Sequence, residues 1–198
     1  MSEPTEQNDL ARSLEGDGEA YARIVAKFQT QVARRMRLFA NDPAAVEELV
    51  QEVFVEAYFS LSRYREGNFP GWLTQIATRV GYRYWKKTRR RAESGRDDQW
   101  WRQLAQSKVE ALDSATVARL VRALLDRLPP RDRLVLLLVY IEGHSMDEAA
   151  RLAGWSKTMV KVQAFRARRK LRAFFAELGI DSAQAAGESS EDILHERI

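Results

Sequence analysis

Residues 143–175, GHSMDEAARLAGWSKTMVKVQAFRARRKLRAFF, decide the fold of this chain. The spacing of Ser145 and Glu148 is that of a capping box, in which the serine oxygen accepts an early backbone N–H and the glutamate reaches back. Gly154 predicts the left-handed residue that ends this short helix. Ser156 predicts the N-cap of a second helix. The stretch therefore predicts a short helix, a glycine turn and a longer helix.

The second of these helices is amphipathic and strongly basic. Lysines and arginines occupy its polar faces, and no Asp or Glu occurs from residue 156 to residue 176. A short helix and a turn before a longer basic helix is the geometry that places a helix in the major groove of DNA. The alternative is an ordinary helical hairpin with a solvated basic face, but the lack of balancing acids favours DNA. The apolar positions recur at helical spacing and are Val160, Ala164, Ala167, Leu171 and Phe174.

The composition indicates an all-α protein of one or two small domains. The chain has 198 residues, with only 5 prolines and 10 glycines, and its apolar residues follow helical periods. The absence of cysteine excludes disulfides, thiolate zinc sites and cysteine nucleophiles. The first residues are polar and acidic, unlike a signal peptide, and the longest apolar run, residues 134–141, is too short to cross a bilayer. We therefore expect a soluble, cytoplasmic protein.

The charge of the chain is segregated, although the net value is only +4. Residues 79–91 contain seven basic and no acidic side chains, and residues 157–172 again contain seven and none. These segments together carry +14, so the rest of the chain, with 18 basic and 28 acidic residues, carries −10. Two concentrated basic helices on an acidic body predict two separate contacts with a polyanion.

The N-terminal part predicts three amphipathic helices. The first spans residues 19–39, and Asp42 with Pro43 predicts the N-cap and first residue of the next helix, which continues to Leu61. This second helix is expected to bury Tyr58 with its other apolar residues. Its outer face is acidic, which indicates either simple solvation or a docking face for a basic partner. The residues of that face are Glu47, Glu48, Gln51, Glu52 and Glu56.

The third helix begins at Phe69–Pro70 and combines basic with aromatic residues. Cations that follow phosphates and rings that stack on exposed bases suit single-stranded nucleic acid. Trp72 is expected in the core, whereas Tyr82 and Trp85 are expected off the core stripe, in contact with nucleic acid. The outward residues are Arg79, Tyr82, Arg83, Lys86, Lys87 and Arg90.

The sequence predicts four segments along the chain. Helical periodicity fades after residue 91, where a polar stretch with two adjacent tryptophans indicates a linker. A second helical domain then contains the helix-turn-helix and two bracing helices. The acidic C-terminus is expected to be a disordered tail, with one short helix as the alternative. The segments are 1–91, the first domain; 92–113, a flexible linker; 114–178, a four-helix domain; and 179–198, the tail.

The sequence contains no pattern that is typical of a catalytic, cofactor-binding or metal-binding site. The two histidines, His144 and His195, lack the spacing of metal ligands, and no glycine-rich phosphate loop occurs. No Ser/His/Asp arrangement can be proposed from position either. We therefore expect a binding protein rather than an enzyme, without a cofactor or a small-molecule substrate.

Five short motifs follow one another along the chain: EELVQEVF at residues 47–54, FPGWLTQIA at 69–77, LPPRDRL at 128–134, GHSMDEAA at 143–150 and GWS at 154–156. In this order and with these gaps, they resemble the motifs of a bacterial RNA polymerase sigma factor of the extracytoplasmic-function (ECF) group. The first is similar to the core-binding helix of region 2, and the second to the motif before the promoter-reading helix. The other three resemble region 4. The resemblance extends over about residues 9–178.

The resemblance implies roles for particular residues. Glu48, Gln51 and Glu52 would dock on the clamp coiled coil of core RNA polymerase. The first domain would capture and melt the −10 element through Tyr64, Asn68, Phe69, Arg79, Tyr82, Arg83, Lys86, Lys87 and Arg90. The second domain would read the −35 element through Ser156, Lys157, Thr158, Lys161, Val162, Phe165 and Arg166.

The resemblance also implies partners: core RNA polymerase, promoter DNA as duplex and melted strand, and an anti-sigma factor. The protein would be a monomer when free, or bind an anti-sigma factor one to one. The chain departs from the family at Arg79, where asparagine is usual, and at Val162 and Gln163, where serine and arginine are usual, so the promoter sequences are not assigned. The alternative function is a helix-turn-helix regulator that acts without polymerase. A nuclease is disfavoured, because neither basic helix has clustered carboxylates or histidines nearby.

Overall fold

The computed structural model describes residues 5–65, 67–92 and 123–177. The predicted linker from residue 93 onward, the beginning of the second domain and the acidic tail lie outside these residues. The chain divides into two compact units, Met1–Lys87 with Leu152–Gly154, and Thr88–Arg151 with Trp155–Ile198. All regular structure in the described ranges is helical, so the predicted all-α class is confirmed.

Four helices and a short 3₁₀ turn form the first part of the chain. They are α1 (Glu6–Leu14), α2 (Gly18–Met36), α3 (Pro43–Ser60), the turn Leu61–Arg63, and α4 (Phe69–Ala92). Beyond the gap, residues 123–127 are helical. They precede α5 (Pro130–Leu136), a π-helical turn (Leu137–Ile141), α6 (Met146–Ala153) and α7 (Lys157–Glu177).

Side-chain caps fix the starts of the first three helices. Asp42 accepts a hydrogen bond from the Ala45 N–H at 3.2 Å, and Pro43 takes the first helical position, which confirms the predicted cap. Asp17 caps α2 in the same way. α1 begins at Glu6, because the Thr5 hydroxyl accepts from the Asn8 N–H at 3.3 Å and caps the helix.

The core of the first unit consists of apolar residues from α2, α3 and α4. Ile24, Val53 and Ile76 are almost fully buried. Complete burial of a side chain of this kind stabilises the fold by about 1.5–3 kcal/mol. Tyr58 was predicted in this core, but it is exposed, with its ring 4.9 Å from that of Tyr21 at the rim.

Phe39, three residues after the end of α2, lies against the middle of α4, and this contact corrects the prediction for Trp85. A Cβ on Gly81 would lie 2.3 Å from the Phe39 ring, so only glycine fits there. Trp85 follows one turn later, is 4% exposed, and donates its indole N–H to the Phe39 carbonyl at 2.7 Å. The indole is therefore a core group and does not contact nucleic acid.

Within the described residues of the second unit, α5 and α7 pack on each other. Leu134 of α5 and Leu138 of the π turn are buried, and so are Val160 and Ala164 on the apolar stripe of α7. The chain continues past Leu136 as a π turn rather than as α-helix, because the Glu142 N–H bonds to the Leu137 carbonyl five residues back.

Candidate nucleic-acid interfaces

The turn between α6 and α7 has the predicted geometry. Gly154 is left-handed, with a φ of 70°, which a side chain would strain. The Ser145 hydroxyl accepts from the Glu148 N–H at 3.2 Å, and the Glu148 carboxylate accepts from the Ser145 N–H at 2.9 Å. The capping box is therefore confirmed. The hydrogen bonds from Ser145 lower the pKa of Glu148 below its usual value.

The first three turns of α7 present a basic and apolar face to solvent. The Ser156 hydroxyl accepts from the Met159 N–H at 3.2 Å, so the predicted N-cap is confirmed. Phe165 is 61% exposed and lies beside the exposed Val162. Two large apolar side chains exposed among cations suit contact with base edges such as thymine methyl groups. All seven residues predicted for the −35 element are exposed: Ser156, Lys157, Thr158, Lys161, Val162, Phe165 and Arg166.

Within the part of the chain that the structure describes, three of the seven basic residues of α7 interact with another side chain. Lys157 pairs with Asp147 of α6 at 2.8 Å, and both side chains are exposed. Arg168 lies over the Tyr140 ring, 5.9 Å from its centroid. Lys170 pairs with Asp132 of α5 at 2.5 Å. The cationic character of the exposed face therefore rests most on Lys161 and Arg166.

Gln163 does not belong to the exposed face. It is buried and donates its side-chain N–H to Asp132, which is itself fully buried. From the sequence, Gln163 was predicted only to be a departure from the family within the DNA-reading helix, and Asp132 was not predicted to be its partner. The signal that was available is the seven-residue interval from Gln163 to Lys170, which places both on one side of α7.

The loop before α4 carries a cluster of three aromatic rings. Tyr64 lies 5.4 Å from Phe69 and 5.3 Å from Trp72, between ring centroids, and the Phe69 and Trp72 rings are 5.5 Å apart. Tyr64 and Trp72 are half-buried, whereas Phe69 is 1% exposed. The prediction that Phe69 contacts DNA is therefore wrong for its side chain, because the ring forms the base on which the other two pack.

Asn68 is exposed and caps α4. Its side-chain oxygen accepts from the Gly71 N–H at 2.9 Å, and its carbonyl accepts from the Trp72 N–H at 3.0 Å. The first turn of α4 is thus fixed by the same residue that was predicted to contact the −10 element. The cap uses the side-chain oxygen of Asn68, so the amide N–H groups of this exposed side chain are not part of the cap.

Arg79 and Arg83 of α4 reach across to acidic residues of α3. Arg83 donates to Glu52 at 2.9 Å and also to Glu56. Arg79 lies 3.6 Å from Glu56. The hydrogen bond to Glu56, together with that to Glu52, raises the pKa of Arg83. We call Glu52, Glu56, Arg79 and Arg83 the α3–α4 bridge; it joins the predicted docking face to the predicted −10 face.

The later turns of α4 remain exposed and basic. Lys86 lies over the Tyr82 ring, 5.7 Å from its centroid, and Lys87 is exposed. This combination of a half-buried ring and lysines is consistent with the predicted strand contact. For Arg90 only the helical backbone is described, so its predicted role is not tested.

The predicted docking face of α3 is exposed and continues into apolar residues. Glu48, Gln51 and Glu52 are all exposed. One to two turns later Val55 is exposed, and Phe59 is 78% exposed. The face therefore changes along the helix from acidic to apolar.

Metal sites and membrane spans are the other features considered for this chain, and both concern the described residues alone. Within the described residues, no three histidine or carboxylate side chains lie close enough to hold a metal ion. In the same part of the chain, no helix combines the length and the apolar character needed to span a membrane.

Comparison with known families identifies both units. The Sigma-70 region 2 family matches residues 24–91, and the Sigma-70 region 4 family matches residues 118–171. ECF RNA polymerase sigma factor EcfG of Rhodopseudomonas palustris is 30% identical over 142 residues, which are 71% of this chain and 75% of EcfG. The chain therefore belongs to the ECF RNA polymerase sigma factors.

Two other relatives extend the comparison. ECF RNA polymerase sigma factor SigE of Mycolicibacterium smegmatis is 26% identical over 165 residues, or 82% of this chain. This chain spans only 64% of the length of SigE. CnrH, solved in complex with the cytosolic domain of CnrY, is 25% identical with a TM-score of 0.54, and the match covers 88% of this chain and 98% of CnrH.

Proposed function

We propose that this protein binds core RNA polymerase and directs it to specific promoters, acting as a specificity factor in the cytoplasm. Membership of the ECF sigma family supports this activity. The observation that carries the proposal is that each of the two family regions contains one exposed basic helix, α4 in region 2 and α7 in region 4. The protein itself would catalyse no reaction, since bond formation would take place in the polymerase.

In the proposed complex, α7 lies in the major groove of the −35 element. Its cations would meet phosphates and base edges, and Val162 and Phe165 would make the apolar contacts. Arg166 is the exposed residue best suited to pair with a guanine edge, because a guanidinium can donate two parallel hydrogen bonds.

The first unit would capture and hold the melted −10 strand. The half-buried Tyr64 and Trp72 would stack on an extruded base, supported from below by Phe69. Tyr82, Lys86 and Lys87 would then follow the displaced strand. This assignment replaces direct contact by Phe69 with a supporting role for that residue.

The exposed acidic turn of α3 would dock on core polymerase. Glu48, Gln51 and Glu52 lie together on one face, which suits a partner helix with basic residues. We infer in addition that an anti-sigma protein binds this chain one to one; the observation of CnrH in complex with part of another protein, the cytosolic domain of CnrY, supports a protein partner of this kind.

A reconstituted transcription reaction tests the proposed function. Core polymerase, this protein and a pool of genomic promoter fragments are combined, and the run-off transcripts are sequenced. We expect start sites that require both proteins and share two spaced motifs. Tight duplex binding by this protein alone, without any effect on where polymerase starts, would instead indicate the helix-turn-helix regulator.

A further inference from the structure

Asp132 is a buried carboxylate that holds two side chains of α7. It is the third residue of α5 and is 0% exposed. One of its oxygens accepts from the Gln163 side chain, and the other from the Lys170 ammonium group at 2.5 Å. We call Asp132, Gln163 and Lys170 the α5–α7 anchor.

Burial of a carboxylate has a large desolvation cost, which hydrogen bonds to both oxygens offset. Apolar residues could fill the same space between two packed helices without that cost. What the anchor adds is direction, since its two hydrogen bonds require one arrangement of α7 on α5. A buried polar group of this kind is best attested as a device that fixes register.

The two donors of the anchor are seven residues apart, which is close to two full helical turns. Gln163 and Lys170 therefore lie one above the other, at the edge of the buried stripe of α7. Bonds at two heights along the helix fix both its rotation about its axis and its position along α5. A purely apolar contact would tolerate small rotations and shifts far better.

Arg166 lies between the two donors on the surface of α7. It follows Gln163 by three residues and precedes Lys170 by four, the two spacings that make side chains neighbours on a helix. Arg166 is exposed, whereas Gln163 is buried. The anchor therefore fixes the backbone from which Arg166 extends.

We propose that the α5–α7 anchor sets the base preference of Arg166 at the −35 element. Asp132 is then a positioning residue: it touches no DNA, but it determines which base edge the Arg166 guanidinium meets. Bidentate pairing with a guanine depends on alignment, so a small rotation of α7 would reduce discrimination more than total affinity. The inference rests on the proposed function of α7.

A second consequence concerns Lys170, whose charge is neutralised by Asp132. A lysine that contacts a phosphate contributes about one unit to the salt dependence of binding. Because Lys170 is held by Asp132, we expect Lys170→Met to leave that slope unchanged. Lys161→Met, on the exposed face, should make the slope shallower by about one unit.

The test uses the full chain in complex with core polymerase and promoter fragments randomised at the −35 element. Binding enrichment gives a base preference at each position, and Arg166→Ala identifies the position that Arg166 reads. Asp132→Ala should reduce the preference at that same position by about tenfold. Asp132→Asn, which keeps one acceptor in the same place, should give an intermediate loss.

Asp126→Ala is the matched control. Asp126 is an exposed acid of the same unit that pairs with Arg133 and does not contact α7 through that pair. It should leave every base preference unchanged. Thermal melting of each variant measures stability separately, and if Asp132→Ala does not fold, Asp132→Asn decides the question.

The outcomes separate the anchor from the proposed function. The folded Asp132 variants could keep the wild-type base preference and lose affinity equally for all sequences. That result would show that the anchor contributes only ordinary packing. A salt slope that falls with Lys170→Met would contradict the neutralisation of that lysine. A wild-type complex without any base preference would overturn the proposed function itself.

Discussion

The α3–α4 bridge and the α5–α7 anchor use the same kind of interaction in opposite surroundings. Both join an acid on one helix to a base on another. In the bridge, Arg83 and Glu52 are each about half exposed. In the anchor, the Asp132 side chain is 1% exposed, although Lys170 reaches solvent.

This difference in burial predicts different roles. An exposed ion pair contributes roughly 0–1 kcal/mol, because water and salt compete with it. Glu52 can therefore exchange Arg83 for a basic residue of a docking partner at little cost. Loss of one partner from a buried pair costs about 3–5 kcal/mol, because it leaves a charge without compensation. The anchor is suited to hold a helix in place, and the bridge to change partners.

Lys170→Met should have the largest effect on stability, although Lys170 is a surface lysine. The substitution leaves the buried Asp132 carboxylate with Gln163 alone, and we expect a loss of about 3 kcal/mol in the free energy of unfolding. Denaturant unfolding of the full chain, monitored with a spectroscopic probe on α7, measures this free energy of unfolding.

The double variant Lys170→Met with Asp132→Asn provides the control. It removes the buried charge as well, so it should recover part of the lost stability. A loss below about 0.5 kcal/mol for Lys170→Met, which is the size expected for an exposed pair, would remove the distinction between the anchor and the bridge.

Glu52→Lys should have the next largest effect, on binding rather than on folding. It reverses a charge on the proposed docking face, and we expect core polymerase to bind about ten- to a hundredfold more weakly, or roughly 1.4–2.7 kcal/mol. Titration of labelled protein with core polymerase measures the affinity.

Glu56→Gln is the matched variant for the docking face. Glu56 belongs to the bridge but was not assigned to docking, so polymerase affinity should change by less than about threefold. Normal polymerase binding by Glu52→Lys, or equal losses in both variants, would contradict the assignment of Glu52.

Features set by neighbouring residues in the chain were the ones that sequence predicted well. The Asp42 cap, the Ser145–Glu148 box and the Ser156 cap depend on hydrogen bonds to backbone groups three residues away. Local sequence therefore contains everything that these features need. The same holds for the left-handed Gly154.

Features set by distant contacts were predicted poorly. The helical period of α4 alone did not show that Phe39, which lies three residues after α2, would cover Trp85. The anchor joins residues 31 and 38 positions apart, so the local interval that places Gln163 and Lys170 on one side of α7 could not show that Asp132 is their partner. Phe69 was predicted to contact DNA because the family motif includes it. A motif does not show which of its aromatic rings is buried beneath the others.

Arg83→Gln should have a small effect on stability and a larger one on the coupling between the two faces. Removal of one exposed partner should cost less than about 1 kcal/mol in the free energy of unfolding. Polymerase affinity should rise slightly, because Glu52 no longer has a competing cation within the protein. Parallel titrations at two salt concentrations check this, since the difference should shrink at higher salt.

A decrease in polymerase affinity for Arg83→Gln would indicate that Arg83 orients Glu52 for docking instead of competing for it. The two possibilities are separated further by combining Arg83→Gln with Glu52→Gln. If the arginine acts only through Glu52, its substitution should have no further effect on polymerase binding in that background.

The smallest expected effect concerns Glu148, whose role in the capping box is local and fully exposed to water. The hydrogen bonds from Ser145, with His144 and Arg151 nearby, lower its pKa below the usual value near 4.5. A carboxylate with a lowered pKa in the folded state adds stability that is present above its unfolded pKa and is lost as the pH falls through the folded value. We therefore expect wild type to be more stable than Glu148→Gln at neutral pH, and the difference to vanish as the pH falls from about 4.5 downward.

Thermal melting of both proteins across this pH range measures the difference directly. Other carboxylates titrate in the same interval, but they are common to both proteins and cancel in the comparison. The decrease in the difference between the two proteins belongs to Glu148, because the effect of any other group would persist in the Glu148→Gln variant. A difference in stability that does not change with pH would show that the charge of Glu148 has no part in stabilising this turn.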